Sequence, residues 1–582
     1  MTLGLEVSHP ARAAGTATGP EIRDDPLALE SRGWSRVLTD CQPKIAALAS
    51  LAKLAAPEPV ASVSYRSRGN LLVVAGDDPD RARRAAEELS GSLHVTLLGA
   101  RSPMPAIASW PGRVEEITGF LGEFDAIISG LEGAGDPKPT RFDLVLDFSA
   151  APLFAMRQPP QGYHHASGGD AQVAALLDEL RESVGEFEKP RYFAYRENLC
   201  AHSRSEITGC DACIEICSTR AISADGDHVK VDPHLCMGCG ACATVCPSGA
   251  MSYQFPRVAD RGAQLKQLLS AYRDAGGRDA CVVFHDAAGG RELLAQSASS
   301  GAGLPARALP LATWHVASIG LDVLLPAIAY GASQVAVVCS GSEDREYVQA
   351  LRGQMAIGES ILQGLGYGGT HFALVEAASG EALEGAFASL VPARGPAAPA
   401  TFLLSSDKRT AIEFAVDHLA KQATLRVETI ALAEGAPWGE VRVDRDKCTM
   451  CMACVGACPE SALMDGVDQP LLKFLERNCV QCGLCEATCP EQAISLSARL
   501  LLTPAAREAR ILNETQPFHC ILCKKPFGTR QVVEAMVGRL AGHSMFSSEA
   551  ALRRLQMCAD CRVVDMMSAK DEVSVLKLGS DG

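Results

Sequence analysis

Three stretches of this 582-residue chain repeat one spacing of cysteines: CMGCGACATVCP at 236–247, CTMCMACVGACP at 448–459 and CVQCGLCEATCP at 479–490. A fourth copy is stretched, with Cys200, nine residues, then Cys210, Cys213 and Cys217. The copies follow short alternating strands, as in VKVDPHLC and VRVDRDKC, and end in STRAI, PSGAM, PESAL and PEQAI, alanine plus an aliphatic residue. Three cysteines separated by two residues each wrap a loop around one [4Fe–4S] cube, with loop amides facing its sulfurs. The fourth, turned away at the proline, serves a neighbouring cluster. Soft thiolates suit iron–sulfur cores, and the small residues Gly238, Gly240, Ala453 and Gly483 let the backbone come close. Structural zinc would want paired CxxC units instead.

Taken in pairs, the copies make residues 190–256 and 440–499 resemble bacterial two-[4Fe–4S] ferredoxin domains. The resemblance implies crossed ligation and four clusters. Cys200, Cys210 and Cys213 would share one with Cys246, and Cys236, Cys239 and Cys242 another with Cys217. Cys448, Cys451 and Cys454 would join Cys489, and Cys479, Cys482 and Cys485 would join Cys458. Two departures mark the first pair: the insertion AHSRSEITG after Cys200, and Ser218 where the other copies have proline. They make the Cys200 site the one expected to be labile or to hold a three-iron form.

A different spacing closes the chain. Cys520 and Cys523, then Cys558 and Cys561, flank the helical stretch TRQVVEAMVGRL within 500–582. Folded together they offer a four-thiolate site in a zinc-ribbon-like module, expected to hold structural zinc, with mononuclear iron or a fifth iron–sulfur cluster as alternatives. His519 beside Cys520 reads as a surface residue.

With 23 cysteines in close spacings, metal ligation rather than disulfides is expected, which suits a reducing compartment. Residues 1–20 show neither a secretory nor a twin-arginine signal, so the expected location is the cytoplasm. The charge-free stretch 323–341 contains Pro326, Gly331 and Gly341, and reads as a helix followed by a buried strand rather than a membrane span. A net charge of −15 disfavours nucleic acid and anionic membrane as partners and suits a basic patch on another protein.

The rest reads as an α/β and α+β multidomain chain. A lead at 1–60, with one helix near 36–54, precedes an α/β domain at 61–189. There NLLVVAGDDPDRARRAAEEL places Asp78 and Pro79 as N-cap and first helical residue. A second α/β domain at 257–395 has the strands ACVVFH, ARALPL, SQVAVVCSG and THFALVEA, and a short α/β connector at 396–439 follows it. Both α/β domains are expected to be doubly wound. The run LPLATWHVASIGLDVLLPAIAYGASQVAVVCSG resembles the iron–sulfur delta subunit of methyl-viologen-reducing hydrogenases. That family's further cluster cysteines are missing after Cys339, where the chain reads SEDREY, which implies a docking or scaffold domain. Cys281 and Cys339 read as small buried hydrophobes.

No G-x-G-x-x-G opens either α/β domain, and Walker A, H-E-x-x-H and G-x-S-x-G motifs are absent, so flavin or nicotinamide binding is not expected. His285 and His315 stand at element edges as candidate bases, but read first as satisfied core or surface residues. The expected function is electron transfer: two ferredoxin domains forming a wire in a cytoplasmic oxidoreductase complex. The layout is similar to iron–sulfur proteins encoded beside molybdenum-dependent formate dehydrogenases, which implies such a molybdoenzyme as redox partner. The alternatives are a flavin-dependent or electron-bifurcating oxidoreductase subunit and an assembly factor for a molybdoenzyme.

Overall fold

Runs of aliphatic residues with no polar alternation specify strands covered on both faces, and two parallel sheets of this kind organise the α/β parts. The computed structural model describes residues 30, 32–36, 40–130, 139–466 and 469–568, so the signal reading at 1–20 lies outside the described residues.

In the first sheet the spatial order is Ala108–Trp110, His94–Leu98, Asn70–Val74, Leu144–Asp147 and Tyr163–His165, all parallel. Asp78 caps the helix Pro79–Leu89, its carboxylate accepting the Arg81 amide at 3.1 Å, as the sequence indicates. This helix and Asp170–Glu182 share one face, where Ala82, Leu89, Leu177 and Leu180 pack on Leu71, Val73, Leu97 and Leu146. The other face is covered by an antiparallel meander, Arg113–Phe120, Glu123–Ser129 and Thr140–Phe142. The expectation of a doubly wound domain is therefore corrected here. The period-two pattern of EFDAIIS puts Phe124, Ala126 and Ile128 on one side of a strand, so a second sheet takes the place of helices. Ser62–Ser67 and Gly185–Pro190 pair antiparallel where the chain enters and leaves this unit.

The second sheet has the order Ala308–Thr313, Cys281–Asp286, Gln334–Cys339 and Phe372–Glu376, again parallel. Helices Gly289–Ser300 and Gly380–Ser389 cover one face together with Trp34. Val258–Asp274, Leu321–Ala329 and Arg345–Gly364 cover the other, so this domain is doubly wound as expected. The charge-free stretch forms the helix Leu321–Ala329 and the buried strand Gln334–Cys339. Among the described residues no helix is long and apolar enough to cross a membrane. Two helices from elsewhere in the chain complete the same core: Gln42–Leu51 through Ala47, and Lys408–Gln422 through Ala411, Ile412, Ala415 and Leu419. The lead's helix is shorter than expected because Pro43 sets its first turn.

The cysteine-rich parts are two small β/α modules. In the first, Phe193–Tyr195 pairs with Met251–Tyr253 and Ile222–Asp225 with His228–Val231, around the helices Ala212–Ile216 and Ala241–Val245. In the second, Gly439–Val443 pairs with Ile494–Leu501 and Leu463–Asp465 with Leu471–Phe474, around Ala453–Ala457 and Leu484–Thr488. Thr429–Ala431 and Arg510–Glu514 each add a strand to the second module. A hairpin, Pro517–His519 with Pro526–Thr529, then leads to the helix Arg530–Leu540.

Candidate metal centres

In the three full copies the residue before the short helix is left-handed: Gly240 at φ +79°, Met452 at +62° and Gly483 at +82°. At 240 glycine is required twice over, because a Cβ there would fall 2.6 Å from that of Ser318. Each short helix ends at the fourth cysteine of its copy, Cys217, Cys246, Cys458 or Cys489, in extended backbone. Three of these sulfurs accept a backbone amide: Cys246 from Met251 at 3.4 Å, Cys458 from Ala462 at 3.2 Å and Cys489 from Ala493 at 3.3 Å. The alanine-plus-aliphatic ending of the three full copies is thus the donor site for the last sulfur, whereas Cys217 of the stretched copy lies 3.5 Å from the Thr219 hydroxyl.

The cysteines converge across copies. One cavity is walled by Cys200, Cys210, Cys213 and Cys246, a second by Cys217, Cys236, Cys239 and Cys242, and a third by Cys458, Cys479, Cys482 and Cys485. Each draws three cysteines from one copy and the fourth from its pair. Around Cys454 the remaining set assembles: burial first, then the thiols of Cys451, Cys448 and Cys489, push its pKa up to about 12. Burial and neighbouring thiols likewise push Cys210 up to about 11 and Cys482 to about 12. Four facing thiolates in an apolar shell need a cationic core among them, and the donor set fits an iron–sulfur cluster.

The stretched copy keeps Cys200 on the wall of its cavity. Its insertion folds into a hairpin, Ser203–Arg204 with Ile207–Thr208, turned by Ser205 and Glu206 at φ +51° and +68° as in a type I′ turn. Ser218, in place of the proline, turns its hydroxyl to Tyr347 of the second α/β domain.

Several residues around the sites carry no sequence signal. Trp314 Nε1 donates to the Met237 carbonyl at 3.3 Å, and Thr244 Oγ1 to that of Ala317 at 2.6 Å. The Cys236–Cys242 loop therefore rests on the loop that follows Ala308–Thr313, at the carboxyl ends of a parallel sheet where α/β proteins commonly bind ligands. On its other side the Tyr65 hydroxyl and Lys189 Nζ donate to the His234 carbonyl at 2.6 and 2.7 Å, and Lys189 also reaches that of Cys236 at 2.8 Å. Lys408 Nζ donates to the carbonyls of Ala243, Thr244 and Cys246 at 2.7, 2.7 and 2.9 Å. Arg409 reaches those of Pro247, Pro437, Arg477 and Cys479 at 3.4, 2.8, 2.8 and 3.2 Å. Backbone carbonyls have no residue identity, so no motif search finds such contacts.

The candidate bases are held as structural groups. His285 Nδ1 bonds the Asp286 carbonyl at 2.9 Å, and His315 caps a turn by accepting the Ala317 amide at 3.1 Å. Cys281 and Cys339 are buried strand residues.

Cys520, Cys523, Cys558 and Cys561 bring their sulfurs within 4.8 Å of one another, while His519 is exposed. Cys523 and Cys558 Sγ are 3.7 Å apart; a tetrahedral site with metal–sulfur bonds of about 2.3 Å has edges of about 3.8 Å. Burial alone would raise the Cys520 pKa, but the amides of Cys523, Cys558 and Leu522 outweigh it and hold the thiol at about 6. The site fits a metal ion. Thr529 Oγ1 donates to the Thr449 carbonyl at 3.1 Å and so seats this module beside the Cys448 loop.

The profile of the 4Fe-4S dicluster domain matches residues 208–250, and that of the 4Fe-4S binding domain matches at 441–464 and 473–495. The first match begins beyond Cys200 and the hairpin strand Ser203–Arg204. No curated protein matches the chain. The chain carries two ferredoxin-type 4Fe–4S domains.

Proposed function

We propose that the chain is a four-cluster iron–sulfur relay, an electron-transfer component of a cytoplasmic oxidoreductase complex. The observation that carries the reading is the convergence of cysteines from paired copies on shared cavities. The ligand sets are Cys200, Cys210, Cys213 and Cys246; Cys217, Cys236, Cys239 and Cys242; Cys448, Cys451, Cys454 and Cys489; and Cys458, Cys479, Cys482 and Cys485. When bound, such clusters supply one-electron chemistry at potentials set by hydrogen bonds to sulfur and by exposure. The residues of the chain do the rest. The amides of Met251, Ala462 and Ala493 donate to ligand sulfurs. Phe193, Ile222 and Met251 in one module, and Val441, Phe474 and Ile494 in the other, keep water from the sites. Cys520, Cys523, Cys558 and Cys561 hold one structural zinc.

The proposed redox partner is a molybdoenzyme such as formate dehydrogenase, as the similarity of layout suggests, met through a basic patch that complements the net charge of −15. Anaerobic iron, sulfide, zinc and flavin analysis, with EPR after dithionite reduction, tests the reading. It expects about sixteen iron and about one zinc per chain, with coupled S = 1/2 signals. Iron near twelve, or bound flavin, overturns it.

A further inference from the structure

We propose that the two ferredoxin modules are docked so that the Cys200 and Cys479 sites are neighbours, giving one linear path of four sites that runs from the Cys236 loop to the Cys448 loop. The inference rests on the four-cluster reading and adds to it an order and the residues that impose it.

The insertion that breaks the first motif is the docking element. Its strand Ile207–Thr208 lies against the helix Leu484–Thr488 of the other module. Gly209, next to Cys210, has no room for a side chain: a Cβ would fall 2.6 Å from Leu484 Cγ and 2.7 Å from the Ala201 carbonyl. Leu484 in turn precedes Cys485. The pair therefore sets the loop of one site against the helix of another. Within each module the two short helices lie side by side, Ala212–Ile216 with Ala241–Val245 and Ala453–Ala457 with Leu484–Thr488.

A second element holds the seam. Lys408 and Arg409 open the helix Lys408–Gln422, which belongs to the core of the second α/β domain. Lys408 binds the carbonyl end of the helix Ala241–Val245, and Arg409 joins the Pro247 carbonyl of one module to the Arg477 and Cys479 carbonyls of the other. Beside this clamp lies a cavity of about 390 Å³, lined by Leu199 and Ser248 from one module and Glu460 and Asn478 from the other. The seam is thus fastened at the hairpin and at the clamp rather than by continuous packing. Arg409 and Leu484 are positioning residues: they set the distance between two sites and ligate neither.

Magnetic coupling between reduced clusters tests the order in the full chain. A variant carrying Cys236→Ser, Cys239→Ser, Cys448→Ser and Cys451→Ser keeps the two inner sites, one from each module. Its iron should fall to about half, and the remaining EPR signals should show mutual spin–spin splitting. Two independent, unsplit signals overturn the proposal. Should that protein fail to accumulate, Arg409→Met with Leu484→Ala, one change at each fastening of the seam, serves instead in the otherwise native chain. Iron should stay at the native level and splitting within each module should persist, while the splitting between modules is lost. A spectrum identical to that of the native protein overturns the order. The iron content of the native chain separates the two readings: about sixteen iron without cross-module splitting removes only the order, whereas a deficit removes the relay itself.

Discussion

Ser218 Oγ and Tyr347 Oη lie 2.5 Å apart, joining the first ferredoxin module to the helix Arg345–Gly364 at the place where the other copies have proline. Tyr347 is buried, and its hydroxyl also bonds the Cys239 thiol and lowers that thiol's pKa against the dominant effect of burial. Tyr347→Phe keeps the ring against His315 and removes both bonds. The expected loss is about 1 kcal/mol of stability with iron content unchanged, read by anaerobic chemical denaturation. Ser218→Pro should destabilise in the same direction.

The C-terminal site should bind zinc more tightly as pH rises from about 7 to 9, because zinc must displace protons from its thiols. Cys520 sits at about 6, whereas Cys561, bonded to the Cys523 and Cys558 sulfurs, is pushed up to about 12. Competition with a zinc-binding dye at several pH values measures this. Cys558→Ser should remove the zinc and leave the iron at the native level, read by metal analysis of the same sample.

Glu476, 4% exposed, accepts from Arg499 at 2.7 Å and from Arg510 at 2.6 Å. Burial favours its protonated form, but the two guanidinium groups outweigh this and hold its pKa below the ordinary carboxylate value. Its stabilising contribution is therefore present at neutral pH and lost as pH falls through the depressed pKa. Glu476→Gln should cost about 3 kcal/mol at pH 7. Denaturation curves repeated toward acid should show the gap between variant and native protein closing.

Lys44 is fully buried, its ammonium 2.6 Å from Ser35 Oγ and 3.3 Å from the Gly33 and Leu304 carbonyls. Burial lowers its pKa from 10.5 to about 7. Between those values the unfolded chain holds a proton that the folded one has given up, so stability rises with pH across the window. Lys44→Met should flatten that rise, as measured by denaturation at pH 7, 8 and 9.

Much of this was legible beforehand. The strands Asn70–Val74 and Cys281–Asp286, the Asp78 cap and the cysteine spacing all depend on local chemistry, which a sequence displays directly. The meander over the first sheet was missed because Ile127 interrupts the alternation of its inward positions, Phe124, Ala126 and Ile128, in a short segment. The clamp was out of reach for another reason. Lys408 and Arg409 look like an ordinary basic pair until the fold supplies distant carbonyls for them to bind. Ser218 and the insertion after Cys200 registered as defects of a motif, since a motif has no place for contacts with a neighbouring domain.

The paired strands Ser62–Ser67 and Gly185–Pro190 return the chain to the point it left, with the Arg191 amide donating to the Ala61 carbonyl at 2.7 Å. The described residues between them are topologically a cassette, entered and left at one place. Because Tyr65 and Lys189 in those two strands also grip the His234 carbonyl, the cassette is tied to the loop that opens at Cys236. Residues 68–184 contain no cysteine, so replacing this unit would change the surface beside the Cys236 loop and leave every cysteine of the chain in place.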